Sequence, residues 1–119
     1  MASGNSLRVQ QQADFARTLC HLILWAQQQG LTTTLGEVER PTILAELYSK
    51  MGKGIKDSQH CDRLAADLRL YLRGVYQEDT QAYARMGEQW KKLDKRARWG
   101  GDFAKPDGNH FEFIDEERV

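Results

Sequence analysis

The sequence predicts an α+β fold, a small antiparallel sheet with helices on one face, and three stretches carry that reading. Residues 8–29 space their apolar side chains at the helical period, whereas Ala65 to Leu72 and His110 to Ile114 alternate residue by residue. With helical segments between the alternating ones, the order is helix, strand, helix, strand, helix, strand.

The first helix carries Val9, Ala13, Ala16, Cys20, Ile23 and Ala26–Gln27 as its apolar stripe, with Leu19 and Leu22 beside it. Gly30 stands at the C′ position that ends it. Leu31 to Glu39 is rich in β-branched threonine and alternates weakly, as a strand does. Pro41 opens a second helix at its first turn, buried along Ile43, Leu44, Leu47, Tyr48 and Met51 and stopped by Gly52-Lys-Gly54. A loop bearing Ser58 and His60 leads into the strand Ala65 to Leu72. There Ala66, Leu68, Leu70 and Leu72 face one way and Ala65, Asp67, Arg69 and Tyr71 the other. Gly74 and the polar stretch to Asp79 form a turn. Thr80 to Arg98 reads as one long helix with Tyr83, Met86, Trp90, Leu93 and Ala97 along one side. Trp99-Gly-Gly-Asp-Phe103 is a short turn or strand, Lys105-Pro-Asp-Gly-Asn109 a tight loop, and His110 to Ile114 the last strand.

A chain of 119 residues with 40% hydrophobic content builds one core, so residues 1–119 form a single expected domain. Lysine plus arginine (17) equals aspartate plus glutamate (17), which gives no global attraction to nucleic acid. The N-terminus lacks a basic segment followed by an apolar run, so no signal peptide is expected. The longest apolar run, Leu22 to Ala26, is far below the roughly 20 residues of a membrane span. Two cysteines, Cys20 and Cys61, make no disulfide framework and are expected as reduced thiols.

The chemistry concentrates in two segments. One is Ser58-Gln-His60-Cys-Asp-Arg63-Leu-Ala65-Ala-Asp67; the other runs from Trp99-Gly-Gly-Asp-Phe103 to Asp107-Gly-Asn-His110-Phe-Glu112-Phe. His60, Asp67 and His110 offer two imidazoles and one carboxylate, a donor set that suits tetrahedral Zn²⁺ with its fourth position open for water. Asp107 would stand beside that position as the carboxylate a metal-assisted hydrolase needs. Strand alternation supports the convergence. Phe111 and Phe113 point one way, so His110 and Glu112 point the other, and Asp67 opposes the leucine face of its own strand. The zinc site therefore falls on the open face of the sheet. Cys61 is a weaker ligand, because adjacent residues rarely both reach one ion. His21 has no acidic or cysteine partner at metal spacing and is read as structural.

Ser-x-His-x₆-Asp, followed by Trp-Gly-Gly-Asp-Phe and Asp-x-x-His, resembles the D-alanyl-D-alanine carboxypeptidase and L-alanyl-D-glutamate endopeptidase family of zinc peptidases. That family includes many phage endolysins and relatives of the vancomycin-resistance dipeptidase. The resemblance covers roughly residues 30–114. It implies one Zn²⁺ per chain on His60, Asp67 and His110, with Asp107 as the catalytic acidic residue. It also implies Arg40 as the arginine that polarises the scissile carbonyl or holds substrate, and Ser58 as a substrate-side residue. One departure stands out: many members carry glycine where this chain has Arg63.

Each role has a plainer alternative. Asp107 is also the residue a Pro-Asp-Gly turn favours, a role compatible with catalysis. Glu112 competes with Asp107 as the base. Arg40 precedes a helix-opening proline as an ordinary solvated residue would. The run Lys91, Lys92, Lys95, Arg96, Arg98 on the expected long helix reads as a solvated face, with contact to anionic envelope components as its functional rival.

The expected activity is thus hydrolysis of a peptidoglycan stem-peptide bond, L-Ala–D-Glu in the phage-endolysin manner. D-Ala–D-Ala carboxypeptidase action and a non-catalytic zinc-binding module of the same fold are the alternatives. The implied partner is the stem peptide, with no nucleic acid and no transmembrane segment. The expected form is a monomer made in the host bacterial cytoplasm that acts at periplasmic peptidoglycan.

Overall fold

The structure, a computed structural model, describes residues 6–38 and 63–116. Arg40, the helix expected after Pro41, and the loop with Ser58, His60 and Cys61 lie outside these residues.

Helix α1 (Leu7–Gln28) is capped by the Ser6 hydroxyl, which accepts from the Val9 amide at 3.1 Å. Gly30 ends it with φ +77°, a conformation that favours glycine. The buried stripe differs from the expected one. It consists of Gln11, Phe15, Thr18, Leu19, Leu22 and Ala26, while Val9, Ala13, Ala16 and Cys20 are exposed. Phe15, Leu19, Leu22 and Ala26 follow an i, i+4, i+7, i+11 path. The phenylalanine and the two leucines among them remove more apolar area from water than Val9, Ala13 and Ala16 would, and so set the helix's rotation.

Strands β1 (Thr32–Leu35), β2 (Ala65–Leu72), β3 (Val75–Tyr76), β4 (Ala97–Trp99) and β5 (His110–Phe113) form an antiparallel sheet in the order β1-β2-β5-β4. β3 pairs with the far end of β2, so β5 and β3 share the long β2 strand at different heights. β3 replaces part of the turn expected from Gly74 to Asp79. Arg73 and Gly74, with φ of 51° and 79°, make the two-residue turn that lets the chain double back.

The expected helix over Thr80–Arg98 is three elements. A 3₁₀ turn (Thr80–Tyr83) feeds helix α2 (Ala84–Leu93), and the chain then turns into β4. Asp94 stops the helix. Its carboxylate accepts from the Arg96 amide at 2.8 Å and from the Arg96 guanidinium, a local closure that competes with helix continuation. Lys91 and Lys92 therefore lie on α2, whereas Lys95, Arg96 and Arg98 do not.

α1 and α2 cover one sheet face. Trp90 is the centre of that layer: its ring meets Phe15, Phe111 and Phe113 at centroid distances of 5.7, 6.0 and 5.6 Å. Its indole N–H donates to the carbonyls of Arg98 and Glu112, which ties the helix layer to β4 and β5. Leu68 and Leu70 from β2 and Met86 from α2 are fully buried in the same core. No helix among the described residues is long and apolar enough to cross a membrane.

Candidate active site

Antiparallel register decides the site. Asp67 on β2 pairs directly with His110 on β5, so both side chains leave the same face, opposite the helices. Asp67 Oδ1 lies 3.4 Å from His110 Nδ1. On its other side the His110 ring meets Glu112, with Nε2 2.7 Å from the Glu112 carboxylate. Glu112 is held in turn by Arg98, whose Nε donates to it at 2.9 Å. Arg98, Glu112, His110 and Asp67 thus run as a chain of alternating charge across β4, β5 and β2.

Burial alone would lower the His110 pKa. Its hydrogen bonds to Asp67 and Glu112 prevail and hold it up at about 9 when no metal is present. Burial alone would likewise raise Glu112, but His110 and Arg98 keep it below the usual carboxylate range. The pair is therefore an imidazolium and a carboxylate at neutral pH in the metal-free protein.

Asp107 arrives from the loop between β4 and β5. The loop is folded around Gly100: its carbonyl accepts from the Phe103 amide at 3.1 Å and the Asp107 amide at 2.9 Å, and the Asp107 carbonyl accepts from His110 at 3.1 Å. A Cβ on Gly100 would lie 2.1 Å from the Asp107 carbonyl oxygen and 2.8 Å from the His110 Cβ, so only glycine permits this approach. The Trp99 indole N–H donates to the Gly108 carbonyl at 2.7 Å, and its ring packs against α2 where Gly87 leaves room. The Trp-Gly-Gly segment is the scaffold of the Asp107 loop.

Together these elements bring one donor atom each from Asp67, Asp107 and His110 within 4.8 Å of one another. His110 is buried, Asp67 half-buried and Asp107 exposed. Two carboxylate oxygens and one imidazole nitrogen are hard and borderline donors that suit a divalent cation such as Zn²⁺. The donor geometry fits as well, because Glu112 occupies Nε2 and leaves Nδ1 turned toward Asp67. Beside Asp107, an open cleft of about 210 Å³ runs between Tyr76, Glu78 and Thr80 on one side and the Pro106–Asn109 loop on the other.

Glu112 is the residue whose role the sequence left ambiguous. Its burial and its two partners make it a support for His110 rather than a free base. The alternation that put it on the His110 face was the signal for this. Arg63, where the sequence departs from the motif it resembles, has φ +56°, a left-handed conformation that favours glycine.

A family model described as D-alanyl-D-alanine carboxypeptidase matches residues 52–113, just over half the chain, from before His60 to the end of β5. The class is a peptidase. The chain belongs to the D-alanyl-D-alanine carboxypeptidase family. Among solved structures, the Serratia marcescens L-Ala D-Glu endopeptidase ChiX superposes with a TM-score of 0.75 at 18% identity, over 89% of this chain and 82% of that one. That likeness is one of fold. No curated protein matches the sequence significantly.

Proposed function

We propose that this chain is a zinc-dependent peptidoglycan peptidase of the endolysin type that hydrolyses a stem-peptide amide bond, L-Ala–D-Glu. The observation that carries the reading is the convergence of Asp67, Asp107 and His110 on the open sheet face of a peptidase-family chain.

In this reading His60, Asp67 and His110 hold one zinc ion per monomeric chain, and His60 comes from outside the described residues. Zn²⁺ bound there would supply a water acidified toward a pKa of about 7 and a Lewis-acid pull on the scissile carbonyl. Asp107, exposed at the rim, accepts the proton from the attacking water and returns it to the departing amine. Glu112 and Arg98 keep His110 in one orientation throughout. Arg40 steadies the carbonyl oxygen as charge develops on it, an effect worth about 3–4 kcal/mol where such donors have been removed. Ser58 serves as a further substrate-binding residue. The presence of Asp107 in the cluster supports catalysis over a non-catalytic zinc-binding module.

The bond is chosen on the name of the superposing structure, an L-Ala D-Glu endopeptidase. The family's description supports the second reading, removal of a terminal D-Ala. Digestion of intact murein by the metal-loaded protein, with mass analysis of the new termini, separates them. New L-Ala carboxyls and D-Glu amines, with falling turbidity, are expected, and a chelator should abolish both. Release of D-Ala alone, with the sacculus still cross-linked, would establish the carboxypeptidase instead.

A further inference from the structure

The open face of the sheet carries one arginine for which neither the fold nor the proposed chemistry has a use. Arg69 lies two residues beyond Asp67 on β2, and strand alternation puts it on the same face, about 7 Å along the strand. Its register partner is Thr34 on β1, an uncharged exposed residue. The other described charges on this face are committed to one another: Arg98 to Glu112, Glu112 to His110, His110 to Asp67. Arg69 is exposed and has no ionic or hydrogen-bonded partner among the described residues.

We infer that Arg69 binds the carboxylate carried by the residue that supplies the departing amine. This inference rests on the peptidase reading above. Both bonds considered there place a free carboxylate on that residue. A terminal D-Ala carries the chain's own carboxylate. A D-Glu has two carboxyl groups, of which chain continuation uses one. Where the free carboxylate is the α-carboxylate, it lies only about 2.5 Å from the amine nitrogen. A group released beside Asp67 and Asp107 therefore presents its carboxylate within one strand step of the metal-site carboxylate. The guanidinium fork of an arginine spans that step and matches a carboxylate through two parallel N–H···O bonds. The Tyr71 and Tyr76 rings, 5.6 Å apart at the next step along the same face, bound the far side of that position.

The test uses paired peptides that differ only in whether this carboxylate is free or a primary amide. With the metal-loaded full chain, wild type should prefer the free carboxylate in kcat/KM by about tenfold or more, the usual weight of a hydrogen-bonded charge pair. In Arg69→Gln the preference should collapse toward one, chiefly through KM, and Arg69→Lys should restore part of it. A preference that survives unchanged in Arg69→Gln overturns the inference while leaving the peptidase reading intact. Failure of wild type to cleave either peptide overturns both. Those two failures are distinguishable in one experiment.

Discussion

His110 and Glu112 sit two residues apart on β5, and the 2.7 Å contact between Nε2 and the carboxylate determines which ring nitrogen faces Asp67. A neutral imidazole bonded in this way donates from Nε2 and keeps the Nδ1 lone pair for a metal.

Removing the Glu112 carboxylate and removing the Asp107 carboxylate should therefore produce opposite defects. Glu112→Gln should weaken zinc affinity by about 10–100-fold, the usual effect of losing such a support. Asp107→Ala should retain zinc and lose activity by about 10²–10⁴-fold, the range of a positioned general base. Competition titration with a chelator and steady-state kinetics on both variants check this. The reverse pattern would exchange the two roles.

Acid should displace the metal, with His110 as the group responsible. Because its metal-free pKa is about 9, loading at neutral pH must expel a proton, and affinity should fall about tenfold per pH unit below 9 from this group alone. Metal-free stability moves in the other direction. The folded pKa lies above the ordinary 6.5, so the stabilisation is complete below 6.5 and is lost as pH rises through about 9. Thermal unfolding of the apo protein between pH 6 and 10, compared with His110→Gln, reads this directly; a flat difference between the two would contradict it.

Gly100→Ala should damage catalysis without touching any charged group. The added methyl meets the Asp107 carbonyl at 2.1 Å, so the loop must move. A displacement on the order of 1 Å at a catalytic group costs about 10²-fold in rate. Kinetics alongside near-ultraviolet circular dichroism would show an active-site defect in a folded protein, and full activity would mean the loop tolerates the shift.

Arg63→Gly should stabilise the chain. The left-handed conformation costs a residue with a Cβ about 1–2 kcal/mol, and glycine's greater freedom in the unfolded chain returns part of that, leaving about 0.5–1 kcal/mol. Urea unfolding with an unchanged m-value checks it, and a lower midpoint would show that the Arg63 side chain contributes more than its backbone strains.

The strands that carry the site were legible because alternation is a local signal. Ala65 to Leu72 appears as read, and the opposition of Phe111 and Phe113 to His110 and Glu112 put Asp67 and His110 on one face before any register was known. Two places misled. Tyr83, Met86 and Trp90 keep helical spacing, and Leu93 and Ala97 continue it, so nothing in the apolar pattern marked the stop at Leu93. The stop lies in the Asp94–Arg96 hydrogen bonds, a choice between two local closures that periodicity does not register. In α1, a stripe drawn through Val9, Ala13, Ala16 and Cys20 passed over Phe15 and was rotated away from the real one. The support of His110 by Glu112 and Arg98 was half visible. Alternation gave the shared face, but only the β4–β5 register brings Arg98 opposite Glu112.

The Asp67–His110 pairing also closes a long loop, since everything from β3 to the Asp107 turn lies between its two ends. An unfolded chain brings those ends together only rarely, and the entropy of doing so is lost before any contact across the pairing forms. A cation that needs both ends has little affinity for the open chain. Its binding energy therefore adds to the free energy of closure, by about 2.7 kcal/mol at a hundredfold excess over Kd. Metal supply would then set how much of the protein is folded as well as how much of it is active.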